Sequence, residues 1–213
     1  MDIRLEKIQV RLPEAAKFLF EIRSLEILFG SRVLIQGPSG RGKTTLLHLL
    51  AGLFLPDSGT VRIGEHTLSS LSDRQRSDLR KNHFGIIFQR LNLFEHLTAH
   101  ENVLLGLHSA PDASLKATRA LEQVGMSHLS SQQSGSMSLG EQQRVAVARV
   151  LATLPDIVLA DEPTSSLDDA NTDLILNSLF QATEGKTLIV VSHDHRIEKF
   201  FTKRLNFDEW VTS

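Results

Sequence analysis

The fold of this chain is decided by the stretch Gly37-Pro38-Ser39-Gly40-Arg41-Gly42-Lys43-Thr44-Thr45. A short apolar run, residues 33–35, precedes it, and residues 46–51, which favour helix, follow it. The glycines therefore lie on a turn from a strand to a helix. Because glycine tolerates positive φ and has no Cβ, such a turn lets backbone N–H groups surround phosphate oxygens at the positive end of the helix.

Two side chains of this turn have the chemistry that a nucleoside triphosphate requires. Lys43 supplies a point charge for the β- and γ-phosphates, and the Thr44 hydroxyl is a hard oxygen ligand of the kind that Mg²⁺ prefers. The spacing is that of the phosphate-binding loop, GxxxxGK[ST]. We therefore predict that residues 37–45 bind a nucleoside triphosphate, against the alternative of a glycine-rich turn with a solvated lysine.

Composition excludes several classes of function. The 213 residues include 23 lysines and arginines and 25 acidic residues, a formal net charge of -2. This balance provides no overall basic field, so we expect no nucleic-acid partner. The absence of cysteine excludes disulfides and thiolate metal sites. With a charged N-terminus and no run of about 18 apolar residues, the sequence predicts a cytoplasmic protein that does not span a membrane by itself.

The pattern of apolar residues predicts two kinds of sheet. Apolar and polar residues alternate over residues 3–12 and again over residues 18–29, which predicts an antiparallel sheet beside the nucleotide core. Further on, short apolar strands alternate with helices, and this arrangement predicts a parallel sheet covered on both faces. The predicted strands there are residues 85–88, 157–160 and 188–191, and the predicted helices are residues 44–54, 72–81, 101–107, 115–124, 140–154 and 169–183.

Two acidic residues follow the apolar strand that begins at Ile157. Parallel sheets bind ligands at the carboxyl ends of their strands, which is where Asp161 and Glu162 lie. One acid there can hold the water shell of Mg²⁺ while its neighbour polarises an attacking water. We assign Asp161 to the metal and Glu162 to the water, against the alternative of two solvated acids in a turn.

A histidine follows the next buried strand. His193 comes directly after residues 188–192, so its imidazole can hydrogen-bond a γ-phosphate or orient the water and acid near it. A histidine at a strand end is more often a surface residue, but the context of the neighbouring strand favours the functional interpretation.

A helix begins at Ser138. Ser138 and Glu141 have the spacing of a capping box, which on its own explains both residues. A capped helix N-terminus can also bind an anion, and because this helix is distant in sequence from the phosphate-binding loop, that anion could be a phosphate on another subunit. The spacing does not decide between the two interpretations.

In this order, the motifs closely resemble those of the nucleotide-binding subunit of ABC transporters. The resemblance covers nearly the whole chain. It rests on the phosphate-binding loop, Gln89, the run 138–144 (SLGEQQR), the run 161–168 (DEPTSSLD) and His193. The run 91–103 (LNLFEHLTAHENV) looks most like the subfamily of lipoprotein-releasing, macrolide-export and cell-division ATPases.

The resemblance implies a fold and a division of roles. The fold is α/β, a P-loop NTPase core with a parallel sheet, an antiparallel β subdomain and a helical subdomain at approximately residues 90–150 of a single domain, 1–213. Two copies would enclose two ATP molecules head to tail. The implied catalytic residues are Glu162 as base, His193 on the γ-phosphate and Gln89 as sensor of Mg²⁺ and water; Thr44, Gln89 and Asp161 would hold the metal.

The resemblance also implies contributions from a second subunit and a membrane partner. Ser138 and Gly140 of one copy would close on the γ-phosphate held by the other, and Asp168 would link the two sites. The second subunit is an identical or a related chain, and the membrane partner is an integral permease that keeps the protein at the inner face of the membrane. Leu93, Phe94 and Leu97 either dock that partner or pack within their own lobe.

The sequence departs from the family pattern at two places. Met137 and Leu139 replace the first and third residues of the family's Leu-Ser-Gly-Gly signature, and a branched side chain at Leu139 strains the site if the position needs positive φ or close approach to phosphate. We therefore predict that Leu139→Gly raises ATP turnover. The family's usual aromatic residue for adenine is also absent: Arg11 and Leu12 stand near its place, and Phe18 and Phe20 fit the core.

Two other functions share some of these motifs. An ATPase of the chromosome-maintenance kind would carry a long coiled coil between the phosphate-binding loop and the signature, and no such heptad run occurs here. A module that closes on ATP with little hydrolysis is suggested by Leu139.

Overall fold

Two β-sheets and six α-helices make up the part of the chain that the computed structural model describes, residues 1–11, 17–107 and 111–210. The strands are β1 (Ile3–Arg11), β2 (Phe18–Ile27), β3 (Arg32–Gln36), β4 (Ser58–Ile63), β5 (His66–Thr67), β6 (Phe84–Ile87), β7 (Ile157–Asp161), β8 (Thr187–Ser192) and β9 (Lys203–Asn206). The helices are α1 (Lys43–Leu50), α2 (Asp73–His83), α3 (Ala99–Leu104), α4 (Ala113–Gln123), α5 (Leu139–Leu151) and α6 (Asp169–Ala182).

The alternating segments near the N-terminus form the antiparallel sheet that the sequence predicts. Its strand order is β2-β1-β4-β5, and each neighbouring pair is antiparallel. Leu5 of β1 lies opposite Leu25 of β2 and Val61 of β4, so that the apolar side chains of three strands share one face. This face packs on the nucleotide core.

The second sheet is parallel throughout, in the order β6-β7-β8-β3-β9. The register sets Gln36, the last residue of β3, opposite Ser192, the last residue of β8. Asp161, the last residue of β7, lies opposite Val191. Three strands therefore end side by side, and the loops that follow them meet at one edge of the sheet.

Successive residues of the central strands face two different cores because side chains alternate across a strand. One core receives Val33, Ile35, Ile157, Leu159, Ile189 and Val191 and packs against α1 and the antiparallel sheet. The other core receives Leu34, Val158, Ala160, Leu188 and Val190 and packs against α3, α4, α5 and α6. The sheet is thus covered on both faces, which explains why the interior positions of β3, β7 and β8 are apolar one after another.

Three helices end at least three residues before their predicted bounds, and one of them is α3, which ends at Leu104 rather than at residue 107. Helix α1 ends at Leu50 rather than at residue 54, because Gly52 takes a φ of +63° and the Leu53 N–H returns to the His48 carbonyl at 3.0 Å. This is the arrangement of a Schellman cap. Helix α5 ends at Leu151 rather than at residue 154. None of the helices in the described ranges has both the length and the apolar character that crossing a membrane requires.

Candidate functional site

A pocket of about 230 Å³ opens where β3 and β7 end. The glycine-rich turn and two strand-end acids form most of its wall, together with one residue of the antiparallel sheet. Its lining residues are Leu19, Ser39, Gly40, Gly42, Lys43, Thr44, Thr45, Gln89, Asp161 and Glu162. Nine residues assigned to nucleotide, metal or catalysis from the sequence therefore share this pocket with Leu19.

The turn that precedes α1 needs glycine at two positions. Gly40 and Gly42 take φ values of +76° and +109°, which residues with a side chain rarely adopt. A Cβ on Gly42 would also lie 2.9 Å from two carbon atoms of Leu19. Leu19 was not predicted as a site residue, although its place between Phe18 and Phe20 puts it on the opposite side of the strand from those residues.

Lys43 is folded back onto the turn that carries it. Its Nζ donates to the Gly37 carbonyl at 2.6 Å and to the Pro38 carbonyl at 2.9 Å. Burial lowers the pKa of Lys43, and the negative charges of Glu162 and Asp161 oppose that shift. The ammonium thus lies in a partly desolvated site with two carboxylates nearby, where a phosphate oxygen would be a stronger partner than a neutral carbonyl.

Two of the three residues assigned to the metal, Thr44 and Asp161, contact each other. The Thr44 hydroxyl donates to Asp161 Oδ2 at 2.6 Å, and burial raises the pKa of Asp161 despite this hydrogen bond. Gln89 lines the same pocket, so hydroxyl, carboxylate and amide oxygens, all suitable for Mg²⁺, converge there. Within the described ranges no group of three or more His, Asp and Glu residues could hold a metal by itself.

Glu162 is buried and its carboxylate is fully engaged. Oε2 accepts from the Ser192 hydroxyl at 2.6 Å, and Oε1 accepts from the His193 backbone N–H at 3.1 Å and contacts His193 Nδ1 at 2.6 Å. The backbone of Glu162 has a φ of +50°, which is uncommon for a residue with a long side chain. The structure thus joins the predicted base to the predicted γ-phosphate contact, and Ser192 is a partner that the sequence analysis missed.

The rest of the phosphate-binding turn faces elsewhere. Gly37 and Pro38 line a neighbouring cavity together with His193. The Arg41 guanidinium points away from the phosphate pocket, with Nε 3.5 Å from Asp208 Oδ1 in an exposed pair. This turn therefore separates two cavities, and His193 reaches Glu162 from the second one.

Three further residues assigned to nucleotide, on α5 and α6, lie outside the phosphate pocket of this single chain. Ser138 caps α5, its hydroxyl accepting from the Glu141 N–H at 3.4 Å, and Gly140 lies in the first turn of that helix. Asp168 caps α6 by accepting from the Asn171 N–H at 2.8 Å. Neither Ser138, Gly140 nor Asp168 lines the pocket.

The structure removes one of the two conditions under which Leu139 would strain the site. Leu139 is the first residue of α5 and does not have a positive φ, so its position does not need the left-handed conformation. Its side chain is 58% exposed at the tip of the helix. The other condition stays open: the Leu139 side chain would affect ATP turnover if it crowds a phosphate that approaches this helix tip.

The aromatic residues near the expected adenine position take different places. Phe20 is fully buried and packs edge-on against Phe207, as expected for a core residue. Phe18 is only half-buried, and the Arg11 guanidinium lies 4.2 Å from the centre of its ring. Leu12 lies outside the described residues.

The segment after Gln89 presents one aromatic side chain to the outside. Leu93 packs against the helical core, whereas Phe94 is 52% exposed. The buried amide of Asn102 fixes this segment, since Oδ1 accepts from the Phe94 N–H at 2.9 Å and Nδ2 donates to the Phe94 and Leu97 carbonyls at 3.0 and 3.2 Å. Leu93 therefore packs within its own lobe whereas Phe94 does not, and docking of a partner at this segment stays a prediction.

Comparisons with known proteins show which chains this one is similar to. The protein-family model described as "ABC transporter" matches residues 20–165. The chain is 41% identical over 179 residues to the lipoprotein-releasing system ATP-binding protein LolD of Legionella pneumophila (strain Paris), and the alignment covers 81% of this chain and 79% of that protein. It is 39% identical over 188 residues to the LolD of Psychrobacter arcticus, covering 85% of this chain and 83% of that protein.

Solved structures show the same fold. The ATP-binding cassette MJ0796, in a dimeric post-hydrolysis state bound to ADP and Pi, matches with a TM-score of 0.89 at 31% identity, covering 96% of this chain and 94% of that one. A second dimeric structure of MJ0796, described as a bacterial ABC transporter cassette, also has a TM-score of 0.89 and is 32% identical over the same shares. The α/β P-loop NTPase fold predicted from the sequence is therefore confirmed.

Proposed function

The chain belongs to the ABC transporter family as an ATP-binding subunit, and we propose that it hydrolyses ATP to drive a conformational change in a membrane partner. The observation that carries this proposal is the meeting of Lys43, Asp161 and Glu162 at one pocket under the phosphate-binding turn. Phosphoryl transfer to water requires a cation for the phosphates, an oxygen ligand for the metal and a carboxylate for the water.

The phosphates would be bound by the turn and the metal by the residues beside it. Backbone N–H groups of residues 37–45 and the Lys43 ammonium would hold the β- and γ-phosphates, so that Lys43 exchanges two carbonyl partners for phosphate oxygens. Thr44, Asp161 and Gln89 would hold Mg²⁺. When bound, Mg²⁺ neutralises charge on the phosphates.

Glu162 would accept a proton from the attacking water. The water oxygen forms a bond to the γ-phosphorus, the bond from that phosphorus to the β-phosphate oxygen breaks, and ADP leaves with phosphate. In this conformation His193 Nδ1 lies 2.6 Å from Glu162 Oε1 and is hydrogen-bonded to it. We infer that His193 turns from Glu162 to the γ-phosphate when ATP is bound, which frees one carboxylate oxygen for the water.

A second subunit would complete each site. Ser138 and Gly140 lie at an exposed helix tip that does not reach the phosphate pocket of its own chain. A head-to-tail dimer would bring that tip to the γ-phosphate in the other subunit, and Asp168 would lie between the two sites. The MJ0796 cassettes of the same fold are dimeric in both structures, one of them with ADP and Pi bound.

The membrane partner would be an integral permease that holds this chain at the inner face of the membrane. The relatives named LolD are described as ATP-binding proteins of a lipoprotein-releasing system. On this chain, the exposed Phe94 ring, flanked by Leu93 and Leu97, would dock a helix of the permease.

Phosphate release from the purified chain tests whether it hydrolyses ATP. We expect release with Mg²⁺ and a loss of about 10²-fold or more in Glu162→Gln, because removal of a general base typically costs 10² to 10⁴ in rate. ATP binding should persist in this variant, since Glu162 does not contact the phosphates. If the unsubstituted chain binds ATP without releasing phosphate, even with its membrane partner, the alternative of a module that closes with little hydrolysis is correct.

A further inference from the structure

We propose that Gln143 is a positioning residue for the hydrolytic base: it ties helix α5, which carries the tip proposed to contact the other subunit's ATP, to the backbone of Glu162. The proposal rests on the proposed function, in which Glu162 is the base. Gln143 Nε2 donates to the Glu162 carbonyl at 3.1 Å, and this contact joins the two parts directly.

Gln143 is buried in a way that packing alone does not explain. Its side chain is 3% exposed, and among the described residues its Oε1 has no hydrogen-bond partner. A buried carbonyl oxygen without a donor destabilises the fold, whereas methionine or leucine would fill the same space without that penalty. The Gln143 amide therefore contributes through its N–H, which donates to the Glu162 carbonyl.

The peptide that Gln143 contacts belongs to a strained residue. Glu162 has a φ of +50°, a conformation that persists in residues with side chains only when their surroundings hold it. Its N–H donates to the Val191 carbonyl at 2.9 Å, and its carbonyl accepts from the N–H and hydroxyl of Ser165, at 3.3 and 3.2 Å. Ser165 belongs to the same turn, so Gln143 is the donor that holds this carbonyl from another element.

The first turn of α5 also packs on the segment that follows Glu162. A Cβ built on Gly140 would lie 3.2 Å from Leu167 Cδ2, so the helix and this segment are in close contact. Gln143 lies five residues after Ser138, about one and a half helical turns from the tip. A displacement of the tip on contact with ATP in the other subunit would therefore move the Glu162 carbonyl through Gln143 and change the direction of its carboxylate.

Gln143→Met tests this role because methionine keeps the length of the side chain and removes its hydrogen bond. In the assembled ATPase we expect kcat to fall about tenfold, the effect of losing about one hydrogen bond to a reacting residue. The Kd for a fluorescent ATP analogue and the free energy of unfolding should change little. Gln181→Met on the exposed face of α6 is the matched control and should leave kcat unchanged. Gln143→Leu serves as the second variant if the methionine variant does not fold.

The Glu162→Gln background separates this inference from the proposed function. If Gln143 acts through Glu162, adding Gln143→Met to Glu162→Gln should lower turnover no further. If Glu162→Gln turns over like the unsubstituted chain, the proposed function fails whatever Gln143 does. If Glu162→Gln is inactive but Gln143→Met has normal kcat, the inference alone is overturned. A parallel fall in kcat, ATP affinity and stability would also overturn it, because it would show a general structural role.

Discussion

At the scale of single residues, the requirements of the site oppose those of the fold at Asp161. Asp161 is the last residue of β7, and the four residues before it are all apolar. Burial raises the pKa of the Asp161 carboxyl. The folded protein therefore holds the proton of Asp161 more tightly than the unfolded chain does. It follows that ionisation of Asp161 lowers stability as pH rises from the ordinary carboxyl range through its raised pKa.

Asp161→Asn should stabilise the protein without ligand at about pH 7, because the amide keeps an acceptor for the Thr44 hydroxyl and removes the buried charge. The advantage should shrink as pH falls and Asp161 becomes protonated. Urea unfolding across the range of about pH 4 to 8 measures both effects. Asp173→Asn, at an exposed position on α6, changes net charge equally and should show neither. A variant less stable than the parent at neutral pH would contradict this account.

Residue chemistry was predictable from the sequence where it depends on local spacing. Lys43 and Thr44 come after β3 and Asp161 ends β7, and their chemistry together with these positions was enough to place them in one pocket. Gln143 and Ser192 were missed because their roles depend on which side chain of a distant segment they meet. A polar residue inside an otherwise apolar strand or helix face was the available signal in both cases.

At the scale of the helix, α5 begins with the same capping arrangement as two other helices. Ser138, Thr98 and Ser72 each accept from the N–H three residues on, and each receives a returning glutamate or glutamine. The capping box predicted at Ser138 is therefore present. Its presence leaves the anion-binding role as a separate proposal, which a comparison between capped helices can test.

Ser138→Ala and Ser72→Ala should each lower the free energy of unfolding by about 1 kcal/mol, because each removes one N-cap. If Ser138 also contacts the γ-phosphate in the other subunit, only Ser138→Ala should raise the ATP concentration needed for dimer formation in the Glu162→Gln background. Gel filtration across an ATP titration measures this. Equal titrations for the two variants would leave capping as the whole role of Ser138.

Leu139 at the same helix tip carries a second prediction. Leu139→Gly should raise ATP turnover in the assembled dimer by removing a side chain that crowds the approach to phosphate. Because the backbone there is helical, Leu139→Ala should have the same effect without the loss of helix propensity that glycine brings. Turnover measured under saturating ATP decides the question: unchanged or lower values in both variants would show that Leu139 does not obstruct the site.

Helices and strands were predicted best where the apolar residues follow a single period. Alternation located β1 and β2 of the antiparallel sheet, and short apolar runs located β3, β6, β7 and β8 of the parallel sheet. The end of α1 was missed because apolar residues continue past it, and Leu53 and Phe54 extend the pattern after Gly52 has already ended the helix. A glycine within a helical pattern indicates an end only when its φ is known.

At the scale of the whole molecule, the parallel sheet separates two cores but brings its chemistry to one edge. The phosphate-binding turn precedes α1 in the core shared with the antiparallel sheet, whereas Ser138 caps α5 in the helical core. A single chain holds these two features apart, as its pocket lining shows. Sequence analysis could predict each feature, but their separation follows from how the two cores pack against opposite faces of one sheet.

This separation predicts that ATP drives association of two chains. With Mg²⁺ and ATP, the Glu162→Gln variant should elute from gel filtration at about twice the monomer mass. The reason is that blocked hydrolysis preserves the γ-phosphate, which would contact both the phosphate-binding turn of one copy and the α5 tip of the other. Adding Lys43→Ala should abolish dimer formation by removing the cation that holds the phosphates. If the hydrolysis-blocked chain remains monomeric under these conditions, even together with its membrane partner, each chain must complete its nucleotide site without the α5 tip. The contact between Gln143 and Glu162 could then not couple the base to ATP bound in another subunit.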